Sequence, residues 1–238
     1  AATVISFHAL GWLAGIAAAG ITNDLKLIFL ISAAAFIIGL LFTIKLPNPV
    51  QEKELKPGTT RQIISKNKFL FLSLLLRHIG AAAVWVILPI MIMEKWGGDL
   101  YHISVVYVAN TLTAFILMNV MASKIHLSNI TKFKIGIGAT TFVFVGLAFV
   151  TDWWMAMPFM SLVGATWAFL FIGGNFHLME NNPRSTSTGI FSSTLSIATV
   201  IGPVIGGTIA FLFDYVAVLY FAVVIIVCAF IVSLKIKK

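Results

Sequence analysis

Five side chains stand inside otherwise apolar stretches, where they could do chemistry that their surroundings cannot: Arg77, His78, Trp85, Asn110 and Trp167. A lipid-exposed charge at a bilayer centre costs about 2.5–3.5 kcal/mol on insertion scales, so each polar residue there needs a cavity, a partner or a path to the interface. Arg77 lies nine residues into its stretch, about 12 Å from the start at 1.5 Å per residue, deep enough for a central cavity and still able to snorkel. His78 follows on an adjacent face; histidine ordinarily changes charge between about pH 5 and 8, which suits a proton carrier, and a packed neutral ring is the plainer alternative. Asn110, with Tyr107 and Thr113 one turn to either side, offers a polar face for a solute or an interhelical hydrogen bond, worth about 0.6 kcal/mol on average. Trp85 and Trp167 fall mid-stretch, away from the headgroup belt, and would wall a cavity or fill the core. Trp96, Trp153 and Trp154 lie at stretch ends, where interfacial anchoring is explanation enough.

A membrane must surround these residues. Of 238 residues, 60% are hydrophobic and only 10% charged, whereas soluble domains carry about 45–50% and 25%. Too few polar side chains exist to cover a water-facing surface, which excludes a soluble domain. The net charge of +8 does not mark a nucleic-acid face, because the basic residues sit in short loops beside apolar stretches. The single cysteine, Cys228, excludes a disulfide framework and a cysteine metal cluster.

Eight stretches are long enough to cross a hydrocarbon core of about 30 Å: 1–21, 25–46, 69–93, 101–122, 133–151, 153–178, 186–212 and 215–234. Runs such as Phe29 to Leu41 are apolar on every face, which fits helices and not the alternating strands of a barrel. The expected class is therefore an all-α integral membrane protein. Pro47, Pro49, Pro57-Gly58 and clustered charges mark 47–68 as a solvated linker, dividing the chain into 1–46 and 69–238. Threading the chain through eight spans gathers thirteen Lys and Arg on one side, with only Lys26 and Lys95 on the other. The positive-inside rule then puts the linker and the C-terminus in the cytoplasm.

In 186–212, Ser192, Ser196, Thr199, Pro203 and Gly206 recur at spacings of four, three, four and three, forming one small, smooth helix face. Gly202 and Gly206, like Gly11 and Gly15, have the GxxxG spacing that permits close helix approach; both pairs are expected to form sliding surfaces between two bundles, with Pro203 as a bending point. Sliding 1–21 over 188–208 pairs Ser6 with Ser193, Gly15 with Gly202 and Gly20 with Gly207, while Lys45 and Lys235 each close the following helix. This internal repeat suggests that 1–46 ends one half of a duplicated bundle, that 69–238 is the whole second half, and that four further spans precede Ala1.

The stretch Asn181 to Ile209 resembles the arginine-bearing loop and eleventh helix of the major facilitator superfamily (MFS), ending in Gly202-Pro203-Val204-Ile205-Gly206-Gly207. Gly11-Trp12-Leu13-Ala14-Gly15 with Gly20 resembles its fifth helix, with Ile16 where the family has proline, and Asn67-Lys68-Phe69 with Arg77, Gly80 and Pro89 is similar to the seventh. The basic loop after the eighth helix is degenerate, reading Ser123-Lys124-Ile125-His126-Leu127. The resemblance implies an MFS-type bundle seen from helix five to helix twelve. It further implies a secondary active transporter of the cytoplasmic membrane, working by alternating access.

Export of drug-like amphipathic compounds is the first expectation, from the aromatic and apolar spans; uptake of a small organic anion at Arg77, or of a sugar, is the second, and a non-transporting receptor on the same fold the third. Expected partners are a small-molecule substrate and the lipid bilayer, without nucleic acid, on a monomer. No cofactor or metal is expected. No carboxylate lies deep in a span, so coupling to a proton or sodium gradient would fall to His78, His8 or His177, or to residues upstream. Glu180 and Arg184, four apart, could latch one side. H-E-x-x-H, G-x-S-x-G and P-loop motifs are absent, which argues against an enzyme.

Overall fold

A computed structural model describes residues 2–22, 24–44, 59–123 and 125–236, and among them every regular element is helical. In chain order they are α1 (Ala2–Thr22), α2 (Leu25–Ile44), α3 (Thr59–Lys66), α4 (Lys68–Glu94), α5 (Leu100–Ser123), α6 (Asn129–Leu147), α7 (Ala156–Asn181), α8 (Arg184–Leu212) and α9 (Tyr215–Leu234). A 3₁₀ turn, Trp153–Met155, leads into α7. Seven helices are long and apolar enough to cross a membrane, and the described apolar part of α1, Ala9–Thr22, is shorter. The chain is a multi-pass membrane protein.

Short loops end the spans by local chemistry. Aspartate starts three of them: Lys26 N–H donates to Asp24 (2.9 Å), His102 N–H to Asp99 (3.0 Å) and Ala217 N–H to Asp214 (2.6 Å), each satisfying a helix donor that has no partner in the helix. The His102 N–H, aided by the nearby imidazole, holds the Asp99 carboxyl below the usual carboxylate range. Between α4 and α5 the chain reverses at Gly97, whose φ of 66° suits a residue without Cβ.

Two boundaries differ from the hydropathy reading. Helix α6 starts at Asn129 and stops at Leu147, four residues earlier than 133–151 at each end; Ser128 caps it by accepting from Thr131 N–H, so its first turn is polar and invisible to a search for apolar residues. Within the expected linker, Thr59–Lys66 is a helix lying against α4 and α8, with Ile63 3% exposed. An eight-residue amphipathic helix has too little apolar sequence to register as a span. Residues 47–58 of the linker lie outside the described residues.

Helix α4 is the hub, packed on α8 and α9; α6 joins α7 and α9, and α5 packs on α7. Its Ala81-Ala82-Ala83 run is buried, and small side chains let neighbouring helices come close. Helix α1 lies along α5, close enough that a Cβ on Gly20 would collide with Ser104. Large apolar residues such as Phe36, Phe142 and Phe211 are turned outward, which lipid tolerates and water would not.

One end of the assembly gathers bases: Lys134 Nζ donates to Ile236 O (3.0 Å), and Lys235 sits 5.8 Å from the Phe69 ring. At the opposite end Tyr215 OH donates to Glu94 (2.9 Å) and Trp153 N–H to Trp96 O (3.1 Å). Trp96 is buried there, at 4% exposure. Glu180 accepts from Asn129 Nδ2 (2.7 Å) and pairs with His177 (3.5 Å), in place of the expected latch with Arg184.

Candidate functional site

Arg77, His78 and Trp85 come from α4, Asn110 from α5 and Trp167 from α7, and all five line one cavity together with Trp12 and Val163. The spacing explains the convergence: His78 and Trp85 are seven apart and Val163 and Trp167 four apart, so each pair presents one helix face. The cavity holds about 40 Å³, room for roughly three waters. It lies where α1 meets α4, α5 and α7.

Trp167 organises the charged side. The Arg77 guanidinium carbon is 5.5 Å from the centre of its ring, and the His78 ring stacks on it at 5.6 Å with 30° between planes. Phe171, one turn on, packs against the Trp167 ring at 5.1 Å. On the far side Trp85 meets Tyr107 at 6.2 Å and Phe144 edge-on at 6.0 Å, and Tyr107 OH donates to Trp85 O at 3.3 Å.

Hydrogen bonding is incomplete, and where it is incomplete matters. Thr140 has one hydroxyl hydrogen and gives it to Gly136 O (2.6 Å), so its lone pairs are left to accept from Arg77 Nη2 at 3.3 Å. Arg77 is 1% exposed, its Nε–H has no partner, and neither ion pair among the described residues involves it. Thr199 likewise spends its hydrogen on Leu195 O (3.0 Å) and can only accept from His78 Nε2 (3.3 Å). That leaves His78 Nδ1 a buried acceptor without a donor. Asn110, 7% exposed, makes no side-chain hydrogen bond among the described residues. Three adjoining polar side chains thus keep unspent capacity, an arrangement that apolar packing penalises and a polar solute or water relieves.

A structural neighbour bears on this arrangement. The crystal structure of FucP, an MFS transporter in the outward conformation, matches with a TM-score of 0.57 at 13% identity, over 89% of this chain and 54% of that one. The fold is that of the major facilitator superfamily. No protein-family profile matches the sequence, and no curated protein matches it either. The chain therefore spans about half the length of the MFS transporter it matches.

Within the MFS fold the glycine pairs separate. Gly202 and Gly206 press on α4: added Cβ atoms would lie 2.5 Å from Ala82 Cβ and from Ala83 O. Their close contact is made inside the α4–α9 group, not with α1. Gly11, Gly15 and Gly207 have open space around them among the described residues, and Pro203 is half-buried in α8. His8 lies where side chains are not described. Sequence reasoning missed Thr140 as the partner of Arg77 and Trp12 as a cavity wall. A mid-span threonine is too common to stand out, and Trp12 entered only as part of a glycine-rich motif.

Proposed function

We propose that this chain acts as a secondary active transporter, moving a small solute by alternating access at the cavity bounded by α1, α4, α5 and α7. What carries the reading is Arg77: a guanidinium buried beside an aromatic wall, without a carboxylate among the described residues, on a cavity at the junction of two helix groups. A static structure would satisfy that charge with a protein acid; a carrier of anions leaves it for cargo. The favoured substrate is a small organic anion with a flat or apolar body, its acid group at Arg77 and its body against Trp12, Trp85 and Trp167. The three tryptophans favour a second reading, export of amphipathic compounds, in which Arg77 only shapes the pocket.

His78 Nδ1 would take up the coupling proton, a sodium gradient being the other energy source. The protein works as a monomer in the cytoplasmic membrane, with 47–68 and the C-terminus inside, and performs no enzymatic step. Reconstituted vesicles decide. Saturable flux of organic anions, lost in Arg77→Ala and partly kept in Arg77→Lys, supports the anion reading. Flux of neutral amphipaths indifferent to both variants supports the second, and binding without flux sinks transport altogether.

A further inference from the structure

On the outer face of α6 and α7 a second, apolar cleft opens, of about 400 Å³, apart from the central cavity. Ile135, Ala139 and Phe142 form one wall and Leu162, Thr166 and Phe169 the other. Phe142 and Leu162 are exposed, and Thr166 spends its hydroxyl on Val163 O at 2.9 Å, so the cleft presents hydrocarbon and no free donor. In a membrane, lipid tails are the solvent such a surface meets.

The seam has a charged end. Positions 132, 135, 139 and 142 recur at spacings of three, four and three, which puts Lys132 on the cleft face of α6, one turn, or about 4.5 Å, beyond Ile135. The opposite wall continues from Phe169 to Gly173, where an added Cβ would stand 3.0 Å from Lys132 Cβ. Lys132 is 6% exposed, yet its ammonium forms no hydrogen bond or ion pair among the described residues. Its neighbour Lys134 is engaged with Ile236 O. Long side chains on a helix lean toward its N-terminus, which for α6 is the end where Ser128 leaves the apolar zone.

We propose that the α6–α7 seam binds an anionic phospholipid, with an acyl chain in the cleft and the phosphate at Lys132. The unpaired ammonium supplies the charge complementarity and the cleft supplies the tail site, the pattern of basic pockets between spanning helices that hold acidic headgroups. The inference rests on the membrane location alone and does not depend on transport.

The test is native mass spectrometry of the purified protein loaded with equal phosphatidylglycerol and phosphatidylcholine of identical tails. Wild type is expected to retain phosphatidylglycerol in excess. Lys132→Gln should cut that excess about fivefold, the effect of one lysine at an anionic surface, and leave phosphatidylcholine unchanged. Ala139→Phe, which fills the cleft, should lower both lipids and abolish the excess, while Lys95→Gln at the far end should change neither. If Lys132→Gln fails to fold by circular dichroism, Lys132→Arg must keep the excess and Ala139→Phe must lose it. Equal retention of both lipids by wild type, an excess untouched by the seam variants, displacement by inorganic phosphate, or a two-chain mass that occludes the cleft would overturn the proposal.

Discussion

The guanidinium of Arg77 lies 5.5 Å over the ring of Trp167, and the same ring carries the stacked His78 imidazole. One indole therefore positions two adjacent polar groups that come from consecutive residues of another helix. Trp167→Ala should release both. Such cation–π contacts are worth about 0.5–2 kcal/mol, so solute affinity should fall about two- to thirtyfold, with Trp167→Phe intermediate. Titration of a bound substrate in detergent checks it, and unchanged affinity in Trp167→Ala would remove the indole from the site.

Thr140 provides the hydrogen bond on Arg77. Thr140→Val keeps the volume and removes the acceptor, leaving a buried charged donor unmet at a cost of about 1.5–3 kcal/mol. The expected result is a lower unfolding midpoint in detergent, with Thr140→Ser restoring most of it. Equal midpoints for valine and wild type would mean that Arg77 is satisfied some other way.

Space around the glycines of α8 is uneven. Gly206→Ala brings a methyl against the Ala83 backbone and should destabilise by about 1–3 kcal/mol through overpacking. Gly207→Ala, with nothing within 4 Å, should be neutral or stabilising by about 0.5–1 kcal/mol, because alanine favours a helix interior. Thermal melts of the two variants side by side test the difference, and matching melts would refute the tight α4–α8 contact.

Asp99 should sharpen the start of α5 only while ionised. Its carboxyl is held low, chiefly by the His102 N–H, so the stabilisation is present above the ordinary carboxylate range and lost as pH falls through the lowered value. Amide exchange at His102 should accelerate in Asp99→Asn at neutral pH. The ratio of variant to wild-type rates, taken at equal pH, should fall to one only in strong acid, and a fall already at mild acidity would contradict the shift.

The orientation admits a direct measurement. With Cys228 replaced by serine, a cysteine at Lys56 should react with an impermeant maleimide only after the membrane is opened, and one at Asp99 without opening. The reverse pattern would invert the protein in the bilayer.

Composition alone determined that this chain lives in lipid, and uninterrupted apolar length set the approximate limits of seven of the eight expected spans, because a backbone in hydrocarbon has helix as its economical solution. The same scarcity of polar residues made Arg77, His78 and Asn110 visible, since a polar group in a span needs a reason. What sequence could not supply was partnership. Thr140 and Thr199 matter only because tertiary packing sets them against Arg77 and His78, and the amphipathic turn at Thr59–Lys66 is stable only because α4 and α8 cover Ile63. The glycine face of α8 was legible as a place of close approach, but which helix approaches is a property of the assembled bundle: spacing fixes the face of a helix, and only the fold decides what that face meets.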